Sequence, residues 1–281
     1  MGRPKAVRNL VVVSDTHIGC RLALTHPEGF MTDDGGLYKP SEFQRKIWKM
    51  WRYFWDEFVP EATRGEPFAV CHNGDAIDGK HHNSTTQITH NIEFQRRHAQ
   101  QILAPVVALC EGRYYHIRGT DAHVGQSAED EEALARALGA IPNETGQHAR
   151  PDLWMMVGDS LGHILHHVGT TGSAAYEATA VHKELVEEFN EAARWGKRPP
   201  DWIIRSHRHR YIRTEIPTAR GHSIAAVTPA WQGKSSFAWK IPGARLSTPQ
   251  FGGLVVRQSP DGEVFVRPKV WTVERSRTEG A

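Results

Sequence analysis

The chain has 281 residues, of which 39% are hydrophobic and 23% charged, which is enough apolar material for a buried core and argues against disorder. The formal net charge of +2 does not indicate a nucleic-acid or membrane partner. No apolar run reaches the roughly 18 residues that would span a bilayer, and three cysteines without close spacing favour neither a disulfide framework nor a cysteine zinc site. We therefore expect a single soluble domain over residues 1–281, in the reducing cytoplasm, with no membrane partner.

Short apolar runs typical of buried strands alternate along the chain with longer segments of helical periodicity. Strands are predicted at 10–13, 68–71, 114–117, 164–165 and 202–204, and helices at 41–59, 91–104, 127–138 and 174–195. Ser41 and Gln44 form a capping-box pattern, Ser127 opens the third helix before an acidic first turn, and Gly196 should end the last. From about residue 220 the chain becomes strand-rich, with strands predicted at 222–228, 252–258 and 263–273. This order predicts an α/β layered domain.

Residues that commonly bind metal ions follow directly after the predicted strands. The pairs are Asp15 and His17, Asp75 and Asp78, Asp121 and His123, His166 and His167, and His207 and His209. In α/β folds, loops beyond the carboxyl ends of the strands present side chains from a rigid frame, so these clusters should converge at one place. A mixture of carboxylate and imidazole suits Mn, Fe, Zn or Co better than Ca, which prefers oxygen ligands alone.

The order of these motifs resembles the calcineurin-like metallophosphoesterase family. Asp15-Thr16-His17 matches the family's Asp-x-His, residues 74–78 match Gly-Asp-x-x-Asp, and residues 206–209 match Gly-His-x-His with Ser in place of Gly. The resemblance implies a double β-sheet sandwich flanked by helices, in four layers of the order αββα. It also implies a phosphoester hydrolase with two divalent transition-metal ions. Manganese is the expected metal, with iron, zinc, cobalt and nickel as alternatives.

The resemblance further implies a ligand set for the two ions. By motif position, the candidates are Asp15, His17 and His209 for the first ion, His207 with either His166 or His167 for the second, and Asp75 for both. As the bridging residue, Asp75 is also a candidate catalytic residue. His166 and His167 are alternatives because neighbouring residues on a strand point to opposite faces. His207 and His209 should both reach the site only if their segment is a loop.

The third motif departs from the family pattern, which is Gly-Asn-His. This chain has Gly119-Thr120-Asp121-Ala122-His123 instead. In one interpretation Asp121 supplies the metal-binding oxygen and His123 is the displaced catalytic histidine that protonates the leaving group. In the other, Thr120 occupies the Asn position and the role of the histidine is absent or is supplied elsewhere. The departure bears on the proton donor more than on the metal site.

Basic residues beside the motifs are candidate contacts for a substrate phosphate, and they are Lys80, His81, His82, Arg208 and Arg210. Guanidinium groups bind phosphate bidentately, so we expect one of the two arginines to contact substrate. Asp78 is expected to orient a ligand rather than to bind metal itself. Residues 228–245 interleave aromatic and basic residues, a pattern that can stack unpaired bases. Packing of these aromatics on the sheet is the alternative.

Three functions are consistent with these patterns. The first is a phosphodiesterase that acts on a nucleotide or on single-stranded nucleic acid, and the basic-aromatic segment favours it. The second is a phosphomonoesterase for a small metabolite or a phosphoprotein, and the third is a metal-binding scaffold module without catalysis. The near-neutral charge argues against tight binding of duplex DNA. The sequence carries no signal for an oligomeric state.

Overall fold

The structure is a computed structural model that describes residues 7–81, 84–125, 127–169, 173–236, 238–240 and 244–273. Strands and helices are numbered in chain order. The first sheet contains, in spatial order, β13 (Val264–Thr272), β12 (Gln250–Gln258), β1 (Asn9–Val13), β4 (Ala69–Asn73), β5 (Tyr114–Ile117) and β6 (Ala149–Arg150). The second contains β10 (Ile212–Thr218), β11 (Gly221–Val227), β9 (Trp202–Arg205), β8 (Ser160–Ile164) and β7 (Leu153–Val157). A small ribbon pairs β2 (Phe30–Met31) with β3 (Leu37–Tyr38).

The helices are α1 (Glu42–Tyr53), α2 (Val59–Thr63), α3 (Ile92–Ala108), α4 (Asp121–Val124), α5 (Glu129–Ala137) and α6 (Glu177–Arg194). A π-helical turn, Phe54–Phe58, joins α1 to α2, and a 3₁₀ turn, Ala174–Tyr176, precedes α6. Within the described ranges, no helix combines the length and the apolar character that a membrane span requires.

Three apolar clusters separate the four layers of the molecule. One lies between the first sheet and its helices, and includes Trp51 of α1 and Ile102 of α3. The second lies between the two sheets, where Leu10 of β1 and Trp202 of β9 belong to the same cluster. The third packs Leu185 and its neighbours on α6 against the outer face of the second sheet. The predicted αββα sandwich is therefore confirmed.

Burial on both faces explains the uninterrupted apolar sequence of β1. Leu10 and Val12 face the second sheet, whereas Val11 and Val13 face the helices. Strands β1, β4, β5 and β6 are parallel, and β8, β9 and β11 are parallel in the other sheet. The carboxyl ends of β1, β4 and β5 therefore meet at one edge, as the motif positions require.

The predicted local signals were mostly confirmed, with some corrections. Ser41 and Gln44 form the complete capping box at α1, and Gly196 adopts a left-handed backbone (φ 61°) directly after Trp195, the C-cap of α6. Ser127 does not cap α5, which follows Ala128 in a left-handed conformation without a side-chain cap. Strands β7 and β10 were not predicted, because the alternation of exposed and buried residues along them is a weak signal in so short a run.

Gly162 of β8 lies directly under the buried ring of Trp202, its cross-strand partner. A Cβ at Gly162 would lie 2.0 Å from a ring carbon of Trp202. Gly162→Ala should therefore lower the free energy of unfolding by about 1–3 kcal/mol, the usual cost of overpacking a core. Urea denaturation followed by tryptophan fluorescence measures it. Gly169→Ala is the control, since its Cβ would meet only Glu184 at an ordinary 3.4 Å. Equal midpoints for both variants would contradict the assignment.

Candidate metal centre

The candidate ligands sit on loops that carry an uncommon backbone conformation. Eight non-glycine residues in the described part of the chain have a positive φ, and five of them are candidate ligands: Asp15 (50°), His17 (41°), Asp75 (54°), His207 (71°) and His209 (54°). A left-handed conformation costs a non-glycine residue roughly 1–2 kcal/mol. Such strain concentrates at functional sites, where the surrounding structure holds it in place.

The first group of donors consists of Asp15, His17 and His209. His209 Nε2 lies 3.2 Å from His17 Nε2 and 3.2 Å from Asp15 Oδ1, and the third distance, from His17 Nε2 to Asp15 Oδ1, is 3.9 Å. Bonds of 2.0–2.1 Å to a tetrahedral metal ion separate its ligands by about 3.3 Å. The three atoms therefore have the chemistry and the spacing of a transition-metal site. His209 lies on a loop between β9 and β10, as its predicted role requires.

The second group places one hydroxyl among two imidazoles and a carboxylate. His166 Nε2 lies 3.0 Å and His207 Nδ1 3.9 Å from Asp75 Oδ2. Thr120 Oγ1 lies 3.2 Å from Asp75 Oδ2, 3.4 Å from His166 Nε2 and 3.1 Å from His207 Nδ1. These four side chains surround one position, so this donor set also fits a metal ion.

The carboxylate of Asp75 connects the two groups. Its Oδ1 accepts a hydrogen bond from the backbone N–H of Thr120 at 2.7 Å, and the side chain also falls in a cluster with His17 and His123. The approach of the two loops is so close that a Cβ at Gly119 would lie 2.1 Å from Asp75 Oδ1. Asp75 thus has the position that the bridging role requires, while its role in catalysis stays a prediction.

The electrostatics of the site favour a cation. The imidazole of His166 is oriented by its Nδ1, which lies 2.7 Å from the carbonyl oxygen of Asn73. Burial lowers the pKa of His166, but the negative charge of Asp75 outweighs burial and raises the pKa to about 10. Burial raises the pKa of Asp75 itself, yet the positive charge of His166 and the hydrogen bond from its imidazole hold that pKa well below its usual range. Positive charge is thus stabilised here, whether a proton or a metal ion carries it.

The structure separates the alternatives that the sequence left open. His166 is buried against Asp75, whereas the neighbouring His167 is exposed and lies outside both donor groups. Thr120 is inside the second group, but Asp121 is exposed in the first turn of α4. Among the described residues, the donor group around Asp75 therefore contains Thr120 and not Asp121, and a role of Asp121 as a metal ligand stays a prediction.

His123 does reach the site, one helical turn after Thr120. Its ring centroid lies 4.5 Å from that of His17, and its Nδ1 donates to the backbone oxygen of Asp78 at 2.6 Å. That bond leaves Nε2 as the atom available to a ligand. Burial lowers the pKa of His123 to about 4, so its imidazole is neutral near pH 7. Its predicted role as proton donor stays a prediction.

Asp78 lies behind His17 and outside the two donor groups described above, although it forms a further cluster with His81 and His123, and its orienting role stays a prediction. Its Oδ1 is 3.5 Å from His17 Nδ1 and accepts from Gln232, while its Oδ2 accepts from Gln87. This arrangement can orient His17, in the way that carboxylates commonly support metal-binding histidines. His81 lies on the other side of Asp78, at 3.5 Å, and lines the cleft above the site.

The remaining candidate substrate contacts have different positions. Arg208 and Arg210 both line the cleft, but Arg208 donates to the backbone oxygen of Gly169, and Arg210 pairs with Glu177 of α6 at 2.8 Å. Lys80 is exposed and is not among the described residues that line the cleft. His82 lies outside the described residues.

A buried chain of hydroxyl groups, which the sequence does not predict, connects the two sheets beneath the site. Thr228 Oγ1 lies 2.6 Å from Ser14 Oγ and 2.7 Å from Ser206 Oγ, and Asn73 donates to Ser206 Oγ at 2.6 Å. Ser206 stands where the family has Gly, and this chain of contacts explains the serine. Ser14 and Ser206 directly precede candidate ligands, so their sequence position could have indicated a role near the site. No sequence pattern indicates such a role for Thr228.

A cleft of about 340 Å³ opens above the two donor groups. Its opposite wall is built by residues 232–235 together with Ala238, Ala244, Ser247 and Pro249. Lys234 shapes this wall, since its Nζ lies 3.6 Å from the ring centroid of Trp239 and donates to the carbonyl of Ser247 at 3.2 Å. Trp231 is fully buried in the core, so only part of the basic-aromatic segment is accessible. Phe237 of that segment lies outside the described residues.

Solved structures that resemble this chain include an archaeal phosphodiesterase, at 11% identity and a TM-score of 0.41, over 93% of this chain and 99% of the other. A metallophosphoesterase from Sphaerobacter thermophilus has 11% identity and a TM-score of 0.39, over 95% and 89%. Vps29 from Chaetomium thermophilum has 10% identity and a TM-score of 0.37, over 95% and 97%. No protein-family model matches this sequence, and no curated protein matches it.

Likeness at this level carries no argument about activity. The resemblance to the calcineurin-like metallophosphoesterases is confirmed by the chain itself, through its double-sheet sandwich and the gathering of its ordered motifs at one edge. The donor groups fit two metal ions, and the identity of the metal stays a prediction.

The position of Thr120 yields a direct test of the second metal site. Thr120→Asn replaces a neutral hydroxyl, a weak ligand, with the amide oxygen that the family carries at this place. The second ion should bind roughly ten-fold more tightly, as expected for one improved polar contact to a charged group. Isothermal titration of the metal-free protein with Mn²⁺ measures the two affinities.

Asp121→Ala is the matched control, one residue further along the same turn. Because Asp121 is exposed and outside both groups, its loss should leave both affinities within about two-fold. A large loss of affinity in Asp121→Ala, with no gain in Thr120→Asn, would restore Asp121 as the ligand.

Proposed function

We propose that this chain, whose motifs and sheet sandwich resemble those of the calcineurin-like metallophosphoesterases, is a metal-dependent phosphodiesterase for nucleotide-like substrates. One observation carries the proposal. Two donor groups, which Asp75 connects through its cluster with His17, lie at the floor of an open cleft, with strained loops that hold them in place. Backbone strain concentrates at functional sites, so its presence at five ligand positions supports a role in binding.

Metal ions bound at these two positions supply Lewis acidity and an activated water to phosphoester hydrolysis. The protein's own contribution is to hold the ligands and to orient the substrate. Asp78 fixes the ring of His17, and the carbonyl of Asn73 fixes the ring of His166. His123 clusters with His17 and Asp75, and its Nε2 is free to form a hydrogen bond with the substrate or its leaving group.

The charges around the cleft support a diester over a monoester. A monoester carries nearly two negative charges near pH 7, whereas a diester carries one. Of the cationic Lys and Arg residues that line the described part of the cleft, each already has a protein partner: Arg208 with Gly169, Arg210 with Glu177 and Lys234 with Ser247. The carboxylate of Glu177 neutralises Arg210, and the carbonyl oxygens that hold Arg208 and Lys234 occupy N–H groups that a second phosphate charge would need.

The size and wall of the cleft support a nucleotide-like group next to the phosphate. A volume of about 340 Å³ is within the usual range for small-molecule sites. Trp239 directly follows Ala238 of the cleft wall and is 60% exposed, although Lys234 covers one face of its ring. An exposed aromatic ring next to the wall of a cleft can stack an unpaired base without sequence preference.

Metal dependence is tested by reconstitution of the metal-free protein. We expect Mn²⁺ or Co²⁺ to restore hydrolysis of bis(4-nitrophenyl) phosphate and Ca²⁺ to fail, because imidazole ligands favour transition metals. Asp75→Asn should abolish hydrolysis and remove at least one bound ion while circular dichroism stays unchanged. Its control is Asp121→Asn, which should retain both properties. Metal binding without any hydrolysis in the unsubstituted protein would favour the scaffold function.

Substrate class is tested with matched leaving groups. The 4-nitrophenyl ester of thymidine 5′-phosphate and 4-nitrophenyl phosphate release the same phenol, so kcat/KM compares diester with monoester directly. We expect the diester to be preferred about ten-fold or more, since one unpaired charge on the monoester costs at least 1.4 kcal/mol. Preference for the monoester would instead indicate a phosphomonoesterase.

A further inference from the structure

A fully buried carboxylate lies directly beneath the candidate metal centre. Glu131 is in the first turn of α5 and is 0% exposed. It contacts neither the cleft nor either donor group of the two ions. A buried carboxylate is costly unless several hydrogen bonds compensate its charge, so its presence needs a reason.

Glu131 binds both loops that carry the second donor group. Its Oε1 accepts a hydrogen bond from the backbone N–H of Ala76 at 3.1 Å, and its Oε2 accepts one from that of Gly119 at 2.6 Å. Ala76 directly follows Asp75, and Gly119 directly precedes Thr120. One carboxylate therefore connects the loop after β4 to the loop after β5, next to a ligand in each.

Glu131 also contacts a histidine on the side of the sheet. His116 Nε2 lies 3.1 Å from its Oε1, and the Tyr114 hydroxyl lies 2.7 Å from His116 Nδ1. All three side chains are at most 1% exposed. The imidazole of His116 thus packs against the carboxylate, although its Nε2 does not have the geometry of a hydrogen bond to Glu131.

The two loops need such a connection because their own geometry is unfavourable. Asp75 has a left-handed backbone, and it follows Gly74, which is left-handed too. Gly119 approaches so closely that no side chain fits between the loops. The hydrogen bonds that Glu131 accepts from the backbone on both sides of this contact oppose relaxation of the strained segment.

We propose that Glu131 is a positioning residue of the metal centre, whose carboxylate holds Asp75 and Thr120 at the separation that the second metal ion requires. The inference rests on the proposed function to the extent that a metal must bind. It predicts that the affinity for the second ion depends on a residue that touches neither ion nor substrate. The first group, Asp15 with His17 and His209, should be affected less.

The test compares Glu131→Gln with Glu132→Gln. Glu131→Gln keeps the shape of the side chain, but its NH₂ group then faces one of the two backbone N–H donors and cannot accept a hydrogen bond from it. Glu132 is a matched control in the same helix, because its carboxylate also accepts two backbone N–H groups, from His148 and Ala149, away from the site. Metal-free proteins are titrated with Mn²⁺ by calorimetry, and unfolding in urea is measured alongside.

We expect Glu131→Gln to bind the second ion about 10–100-fold more weakly, the range found for residues that support metal ligands. Glu132→Gln should lose comparable stability and keep both affinities. If Glu131→Gln does not fold, Glu131→Asp replaces it, since a shorter carboxylate reaches only one of the two loops and should weaken the second ion in the same way.

Other outcomes would overturn the inference. Unchanged affinities in a folded Glu131 variant would remove the positioning role, and equal weakening in Glu132→Gln would reduce it to general stability. A third bound ion in the unsubstituted protein, lost with Glu131→Gln, would make Glu131 a ligand together with His72 and His116, which cluster with it. An unsubstituted protein that binds no metal would refute the proposed function first.

Discussion

The buried negative charge of Asp75 is the constraint on which the arrangement of the site depends. Its side chain is about 1% exposed, so water does not stabilise the carboxylate. The protein supplies the Thr120 N–H to one oxygen and the imidazole of His166 to the other. A buried carboxylate with these neighbours stabilises any further cation beside it. The ligands from the other sheet gather around this charge for that reason.

The strained backbone at the ligand positions is held by contacts that cross between layers. The hydroxyl groups of Ser14, Thr228 and Ser206 bring the two sheets together under the site, and Asn73 donates to the last of them. Glu131 of α5 acts from the opposite side, through the backbone of the two neighbouring loops. Because sheets and helices both contribute, the geometry of the ligands is a property of the whole four-layer frame. This explains why left-handed residues persist at positions where an isolated loop would relax.

The cationic side chains at the cleft form contacts within the protein that hold its loops in place. Arg208 and Arg210 lie on the loop that carries His207 and His209. Arg208 donates to the carbonyl oxygen of Gly169, and Arg210 forms an ion pair with Glu177 of α6. In the cleft wall, Lys234 packs over the ring of Trp239 and donates a hydrogen bond to the carbonyl oxygen of Ser247. These cations therefore help to build the cleft above the donor groups at its floor.

The sequence by itself determined the layered α/β class, most of the long helices and strands, and the edge where the ligands gather. These features could be predicted because the spacing of apolar residues, and the polar residues that follow each strand, are properties of short stretches of the sequence. Asp75, His17 and His209 were predicted in this way and lie where expected. The choice of His166 over His167 was open, because both neighbours are equally placed along the chain until the packing of the second sheet buries one of them.

Only the tertiary structure decided the third motif and the supporting residues. Asp121 is the stronger ligand by chemistry, and the sequence favoured it, but a helix begins there and turns its side chain to solvent while Thr120 stays inside. Thr228 and Glu131 lie outside the motifs and carry no sequence pattern of their own. Their roles arise from hydrogen bonds across 12 to 214 positions of chain, which no local period can encode.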